Sequence, residues 1–180
     1  MACLDVTGRR CLVVGGGSVG LEKASGLLDC GALVTVVSPE LHDDLAALPV
    51  NWVERRYRKR DLKGAFLVIA ATSDTEVNKR VHRDAEARGM LCNVADVPEL
   101  CNFILPAVHR EGPIAVAVST GGASPALAKR LRTQIAELVR PEHAVLAEQL
   151  RALRPEVKER FATYEERRDH FEDLVTERLS

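Results

Sequence analysis

The sequence lacks a surplus of charge of either sign. Its 180 residues include 25 Lys and Arg against 26 Asp and Glu, which leaves a formal charge of −1 at pH 7. Proteins that bind nucleic acid through phosphate contacts carry a clear surplus of Lys and Arg, so this balance argues against a nucleic-acid partner. Charged residues make up 28% and apolar residues 46% of the chain, a composition typical of globular rather than disordered proteins.

Long apolar runs and paired cysteines are also missing. No apolar run approaches the roughly 18 residues of a membrane-spanning helix, and residues 1–10 lack the basic-then-apolar order of a signal peptide. We therefore expect a cytoplasmic protein with no membrane partner. The cysteines agree with this expectation, because they are odd in number, widely spaced and form no CxxC motif. They are Cys3, Cys11, Cys30, Cys92 and Cys101. Neither a disulfide framework nor a structural zinc site is expected.

Strand and helix patterns alternate from residue 11 to residue 97. Apolar runs predict strands at 11–14, 33–37, 52–53, 66–71 and 91–94. A helix is predicted from Val19 until Gly31 stops it, and a second over 76–88 before Gly89. Continuous apolar strands separated by helices are typical of a parallel sheet covered on both faces. The predicted class is therefore α/β, with a Rossmann-type parallel-sheet domain over residues 1–112.

The pattern changes after Pro106. One more strand is predicted at 114–118, and the chain then has helical character to its end, broken at Pro141 and Pro155. An apolar stripe at helical spacing is formed by Leu127, Leu131, Ile135 and Leu138. Such a stripe needs something to cover it, so we predict a homodimer. The predicted regions are a dimerisation segment at 113–140 and a C-terminal helical region at 141–180.

The first strand leads into a glycine-rich loop. Gly15, Gly17 and Gly20 form G-x-G-x-x-G between a strand and a helix. In such a loop one glycine makes the turn, one lets the backbone approach a pyrophosphate, and one allows close packing of helix and strand. A turn that merely requires positive φ is the alternative, but the position on the first strand of a βαβ unit favours dinucleotide binding.

The second strand lacks the acid that usually binds the cofactor ribose, because Ser38 occupies that position and Glu40 follows Pro39. Between Lys23 and Arg55 there is no Lys or Arg that could pair with a 2′-phosphate. The sequence therefore predicts NAD rather than NADP as the cofactor. The basic run at 55–60 is interpreted as a solvated edge.

Four segments, in this order and spacing, resemble the precorrin-2 dehydrogenase/sirohydrochlorin ferrochelatase family. They are Val13–Gly20 with Lys23, Ala70–Asp74 with Asn78, Cys92–Pro98 with Phe103–Pro106, and Val118–Ala128. The resemblance extends over nearly the whole chain, and it implies NAD⁺-dependent oxidation of precorrin-2 to sirohydrochlorin by a homodimer. In some members Fe²⁺ insertion follows, and the sequence leaves that second activity open. A non-catalytic NAD-sensing module is the alternative function.

The resemblance also implies roles for individual residues. Asp96 matches the catalytic carboxylate of the family, whereas its alternative role is to cap the turn before Pro98. The implied cofactor-binding residues are Gly15, Gly17, Ser18, Val19, Gly20, Ser38, Pro39, Glu40, Thr72 and Ser73. The implied substrate-binding residues are Asn93, Thr120, Gly121, Gly122, Ser124 and Lys129. Ser124 and Pro125 are predicted to begin a helix whose N–H groups and following bases bind substrate carboxylates, with ordinary helix capping as the alternative.

Overall fold

The computed structural model describes residues 3–179, which form two compact units, one ending at Ile104 and the other starting at Leu105. The first unit contains a parallel sheet of five strands in the order β3-β2-β1-β4-β5. The strands are β1 (Arg10–Val14), β2 (Leu33–Ser38), β3 (Asn51–Glu54), β4 (Leu67–Ala70) and β5 (Leu91–Val94). All five predicted strands are present. The chain adds β2 and β3 on one side of β1 and then β4 and β5 on the other side. The boundary between β1 and β4 is therefore the switch point at which α/β sheets bind ligands.

Helices connect the strands of the first unit. They are α1 (Ser18–Leu28), α2 (Asp43–Ala46) and α3 (Thr75–Glu86), with short 3₁₀ helices at Lys59–Leu62 and Pro98–Leu100. The two predicted helices are confirmed, although each ends shortly before the glycine expected to stop it. Gly31 and Gly89 have φ of +74° and +60°, so each makes the left-handed turn that leads the chain into the next strand.

The hydrophobic core of the first unit covers both faces of this sheet, because successive residues of a strand point to opposite sides. On one face Val13, Val36 and Ile69 pack with Ala24 and Leu27 of α1. The opposite face contains a second cluster, formed by Leu12, Val14, Val68, Val81 and Ala85. Each fully buried side chain of Val or Leu size contributes about 1.5–3 kcal/mol. The α/β Rossmann-type fold predicted from the sequence is therefore confirmed.

Two cysteines belong to this core. Cys11 and Cys92 are completely buried, and burial raises the pKa of their thiols to about 11 and about 12. Both therefore remain uncharged at neutral pH and pack as small apolar groups.

The second unit begins with an antiparallel ribbon of two strands, β6 (Ala107–Glu111) and β7 (Ile114–Val118). Three helices follow: α4 (Pro125–Ala136), α5 (Pro141–Arg160) and α6 (Tyr164–Leu179). The sequence did not predict β6, whose residues are mixed in polarity; this strand pairs with β7 and belongs to the second unit. None of the helices in residues 3–179 is long and apolar enough to cross a membrane.

The predicted helix break at Pro155 is wrong, because α5 continues through this residue to Arg160. A proline removes one backbone hydrogen bond from a helix. Pro155 is exposed, so the carbonyl that loses its partner can bond to water instead. The predicted break at Pro141 is confirmed, since this proline occupies the first turn of α5.

Candidate active site

A cavity of about 780 Å³ opens where the loops after β1, β2, β4 and β5 meet. It is lined by residues 14–19, 37–42, 56–57, 71–74, 77 and 95–96. The lining includes Asp96 and nine of the predicted cofactor residues: Gly15, Gly17, Ser18, Val19, Ser38, Pro39, Glu40, Thr72 and Ser73. The volume falls in the range of about 300–1,000 Å³ that ligand cavities usually have.

Each glycine of the first loop is required for a different structural reason. Gly15 has φ of +120°, and a Cβ there would lie 2.3 Å from the Ala71 carbonyl oxygen. A Cβ on Gly17 would meet no atom within 4 Å, so this residue leaves open space at the cavity wall. Gly20 does not line the cavity, but a Cβ there would lie 2.2 Å from the Gly15 carbonyl oxygen. Gly16, outside the motif, is equally restricted, since its Cβ would meet the Glu40 carbonyl oxygen at 2.1 Å.

Helix α1 begins in this cavity with its backbone donors uncapped. Gly17 precedes the helix with no side-chain hydrogen bond to the first turn, and the first turn contains no acidic residue. Free N–H groups at the positive end of a helix are a favourable environment for a pyrophosphate. The loop, the helix start and the volume of the cavity therefore fit a dinucleotide, whose pyrophosphate the backbone of Gly17, Ser18 and Val19 would hold.

The loop after β4 is held by a compact hydrogen-bond network. The Thr72 hydroxyl donates to Asn78 Oδ1 at 2.8 Å, and Asn78 Nδ2 donates to the Thr72 carbonyl at 2.9 Å. Asp74 caps α3, because its carboxylate accepts from the N–H groups of Glu76 and Val77. This network holds Thr72 at the cavity wall.

Asp96 lies on the exposed turn after β5 and has φ of 61°. No other non-glycine residue among those described adopts positive φ. Aspartate tolerates this conformation better than most residues, and such conformations cluster at functional sites. The side chain is exposed at the cavity, at the carboxyl end of a strand, where a carboxylate can reach a bound ligand.

A thiol braces the two ends of this turn. Cys101 Sγ lies 3.2 Å from the Val94 amide nitrogen, and 3.3 Å from the carbonyl oxygens of both Val94 and Val97. These contacts fix the backbone on both sides of Asp96. Sequence reasoning missed this role, since only the folded turn brings residue 101 back to residues 94–97.

The basic run at 55–60 does not lie wholly at a solvated edge, because Arg56 and Tyr57 line the cavity. Burial raises the pKa of the Tyr57 hydroxyl well above its ordinary value, and so does the neighbouring carboxylate of Asp84. That hydroxyl donates to Asp84 Oδ2 at 3.1 Å. The sequence signal was the position of the run directly after β3, whose end lies beside the end of β2.

The predicted substrate-binding residues lie outside this cavity lining. Asn93 is buried, and its side-chain amide donates to the Phe103 carbonyl at 3.0 Å. The others belong to the second unit: Thr120, Gly121, Gly122, Ser124 and Lys129. There Ser124 caps α4 by accepting from the Leu127 N–H, and Pro125 is the first helical residue, as predicted. Their contact with substrate remains a prediction.

The comparisons with known proteins agree with this site. Residues 2–107 match a family model described as "Putative NAD(P)-binding". The chain belongs to this NAD(P)-binding family. Residues 111–138 match a second model, that of the sirohaem biosynthesis protein central domain. The order of these two models along the chain confirms the family resemblance found in the motifs and supports NAD as the cofactor.

The relatives of this NAD(P)-binding chain are named as proteins of siroheme biosynthesis. It is 46% identical over 170 residues to the siroheme synthase of Methylobacillus flagellatus and 37% identical over 180 residues to that of Nitrosococcus oceani. These alignments cover 92% and 96% of this chain but 36% and 38% of the relatives, so the chain spans just over a third of their length. The solved structure of SirC, precorrin-2 dehydrogenase, matches with a TM-score of 0.80 and 28% identity over 100% of this chain and 92% of that one.

Proposed function

We propose that the protein is a precorrin-2 dehydrogenase that oxidises precorrin-2 to sirohydrochlorin with NAD⁺ in siroheme biosynthesis. The observation that carries this proposal is the single cavity shared by the glycine loop and Asp96. That cavity offers uncapped backbone donors for a pyrophosphate and a carboxylate on a turn of positive φ. The likeness to SirC, precorrin-2 dehydrogenase, supports the choice of substrate.

The chemistry requires the loss of a hydride and a proton from the reduced tetrapyrrole. Bound NAD⁺ supplies the hydride acceptor. Asp96 is exposed at the cavity and free to act as a base, and its carboxylate would accept the proton or stabilise positive charge on the substrate as the hydride leaves. The loop after β4 and the thiol of Cys101 hold the surrounding backbone, so little reorganisation is needed at the moment of reaction.

We also propose that the start of α4 binds the substrate carboxylates. Ser124 and Pro125 begin this helix, and Lys129, Arg130 and Arg132 follow within two turns. A helix start with nearby bases attracts carboxylates through both its N–H groups and its positive charge. We propose that Asn93 contributes to substrate binding by ordering the segment around Phe103, whose carbonyl accepts a hydrogen bond from its side-chain amide.

The proposal includes a homodimer formed through the second unit. Leu127 and Leu131 of α4 are 50% and 37% exposed, and Leu138 after the helix is 72% exposed. An apolar stripe of this kind favours burial against an identical stripe of a second copy. We propose the cytoplasm as the location, since the five cysteines are odd in number, widely spaced and form no CxxC motif, as is usual in proteins of a reducing compartment.

The test is to incubate the purified protein with NAD⁺ and enzymatically prepared precorrin-2 while recording the absorbance spectrum. The proposal expects sirohydrochlorin and NADH to appear together in equal amounts. NAD⁺ binding without any turnover would instead support the NAD-sensing module. Metal insertion is a separate activity, and its assay is sirohydrochlorin with Fe²⁺ measured against the uncatalysed background; residues 3–179 contain no group of three or more His, Cys, Asp or Glu that could hold a metal ion.

A further inference from the structure

Three consecutive residues at the cavity differ in how their side chains are held. Arg55 donates two hydrogen bonds to the buried carboxylate of Asp61, at 2.8 and 2.7 Å. Tyr57 is buried, bonds to Asp84, and lies beneath the guanidinium of Arg80. Arg56, between them, is exposed at the cavity, and its guanidinium has no hydrogen-bond or ion-pair partner among residues 3–179.

The sheet register places this free guanidinium at the ribose end of the site. Strand β3 runs parallel to β2, with Ser38 paired to Glu54, so Arg56 lies two residues beyond the end of β3. The end of β2 is where a dinucleotide-binding sheet receives the adenosine ribose. Ser38, Pro39 and Glu40 line the cavity at that same end.

We propose that Arg56 binds the 2′-phosphate of NADP⁺, so that the site accepts NADP⁺ as well as NAD⁺. This inference rests on the proposed cofactor function of the cavity. NAD-selective sites usually place an acid at the end of β2, whereas NADP sites place an arginine nearby. Here β2 ends in the small hydroxyl of Ser38, and the guanidinium of Arg56 is free. Arg56 lies outside the base-free stretch between residues 23 and 55, but the pairing of β3 with β2 brings it to the end of β2, where the ribose would bind.

The flanking residues prepare Arg56 for this role. Its backbone is fixed because Arg55 Nη1 donates to the Arg56 carbonyl at 3.0 Å, in addition to the bonds of Arg55 and Tyr57 themselves. Binding a phosphate would therefore order the side chain of Arg56 and no backbone. A charge-assisted bond between arginine and phosphate corresponds to roughly a 10- to 100-fold change in Kd. Glu40 opposes the phosphate with its negative charge.

The experiment measures binding rather than turnover. Calorimetric titration of NAD⁺, NADP⁺, AMP and adenosine 2′,5′-bisphosphate into the whole protein gives the ratio of Kd values with and without the 2′-phosphate. Trp52 is the one tryptophan of the chain, and its Nε1 donates to the Ser38 carbonyl at 3.0 Å. Its fluorescence therefore provides a second readout at the ribose end of the site.

The wild type is expected to bind NADP⁺ with a Kd within about tenfold of that for NAD⁺. Arg56→Ala should weaken NADP⁺ and adenosine 2′,5′-bisphosphate by roughly 10- to 100-fold relative to NAD⁺ and AMP. Arg60→Ala is the matched control, since it removes the same charge from the same exposed run but outside the cavity lining. It should leave the ratio unchanged, whereas Glu40→Gln should shift the ratio toward NADP⁺.

Two results separate the inference from the proposed function. If NAD⁺ itself does not bind, the cofactor function of the cavity is wrong. If NAD⁺ binds but NADP⁺ does not, or if Arg56→Ala weakens all four ligands equally, Arg56 does not recognise the 2′-phosphate and the inference alone is overturned.

Discussion

The two units differ in how much of their apolar surface they bury. In the first unit both faces of the sheet are covered, and the strands β1, β2, β4 and β5 are almost wholly buried. In the second unit the buried apolar side chains among the described residues are Ala128, Ala144 and Val157, while Leu127, Leu138 and Val145 are at least half exposed. A ribbon of two strands is marginal by itself. The first unit therefore buries most of the apolar side chains of its strands, whereas the second leaves several of its large apolar side chains in contact with solvent.

Because of this difference in burial, the two units suit different functions. The first unit places a cofactor site on a rigid scaffold, where backbone donors and Asp96 are positioned by buried strands. The second unit offers an exposed apolar helix face and basic residues, which suit contacts with another molecule. Substitutions in the first unit should therefore change chemistry or stability, and those on the stripe of α4 should change assembly.

The largest expected effect is that of Asp96→Asn on turnover. Asparagine retains the size and tolerates the positive φ, but it cannot accept the proton. Precorrin-2 oxidation should fall on the order of 10²–10⁴-fold, while the Kd for NAD⁺ should change little, because the glycine loop is unaltered. The rate comes from absorbance spectra and the Kd from calorimetry.

Asp96→Gly is the conformational control, since glycine adopts positive φ without strain. It should match Asp96→Asn in lost turnover while retaining the melting temperature. A stable Asp96→Asn protein that oxidises precorrin-2 at the wild-type rate would remove the catalytic role and leave Asp96 as a turn residue.

The next prediction tests whether the exposed apolar stripe of the second unit is a dimer surface. The double variant Leu127→Glu/Leu131→Glu places two charges on the stripe, so a wild-type dimer should become a monomer by light scattering at micromolar concentration. Affinity for NAD⁺ should be retained, because the first unit has its own core. Thr133→Glu, on the opposite side of α4, should remain dimeric. A monomeric wild type at that concentration would contradict the stripe as a dimer surface.

A smaller effect concerns the charge network beside the cavity. Burial would raise the pKa of Asp61, but the guanidinium of Arg55 and the N–H of Arg58 outweigh it, so the pKa lies below its ordinary value. A lowered folded-state pKa stabilises the protein above the unfolded-state value of about 3.9. That stabilisation is lost as the pH falls through the folded-state pKa.

Asp61→Asn should therefore lower the free energy of unfolding at pH 7 on the order of 1–2 kcal/mol, because Arg55 loses its partner but its side chain is 26% exposed and water can hydrate it. The difference from wild type should shrink as the pH falls below about 4. Denaturant titrations at several pH values measure both quantities. Asp29→Asn, an exposed acid, is the control and should change stability little. A constant difference across pH would contradict the ionic origin of the effect.

More of the first unit than of the second could be predicted from the sequence, for physical reasons. The strands of a parallel sheet are continuous apolar runs, and G-x-G-x-x-G is local, so both are visible in the sequence. Strand β6 was missed because Arg110 and Glu111 interrupt its apolar pattern. Arg56 was missed because the pairing of β3 with β2 brings it to the cavity. Cys101 was missed because only the folded turn brings its thiol to the backbone next to Asp96.

The last prediction concerns Cys101, which touches the turn of Asp96 without lining the cavity. Its thiol contacts the backbone of Val94 and Val97, and removing it by Cys101→Ala takes away these contacts on both sides of Asp96. The carboxylate would then be held less firmly, and a poorly held catalytic group costs about tenfold or more in rate. We expect kcat to fall about tenfold while the Kd for NAD⁺ is retained, since the glycine loop is remote from this contact.

Cys101→Ser is the matched control, because a hydroxyl can both donate and accept at the same place and should restore most of the rate. The partial rescue distinguishes positioning from a loss of fold, which would lower kcat and the melting temperature together in both variants. In the background of Asp96→Asn, Cys101→Ala should have almost no further effect on turnover, because the group it positions is already absent. Independent losses in the double variant would mean that Cys101 stabilises the unit without acting through Asp96.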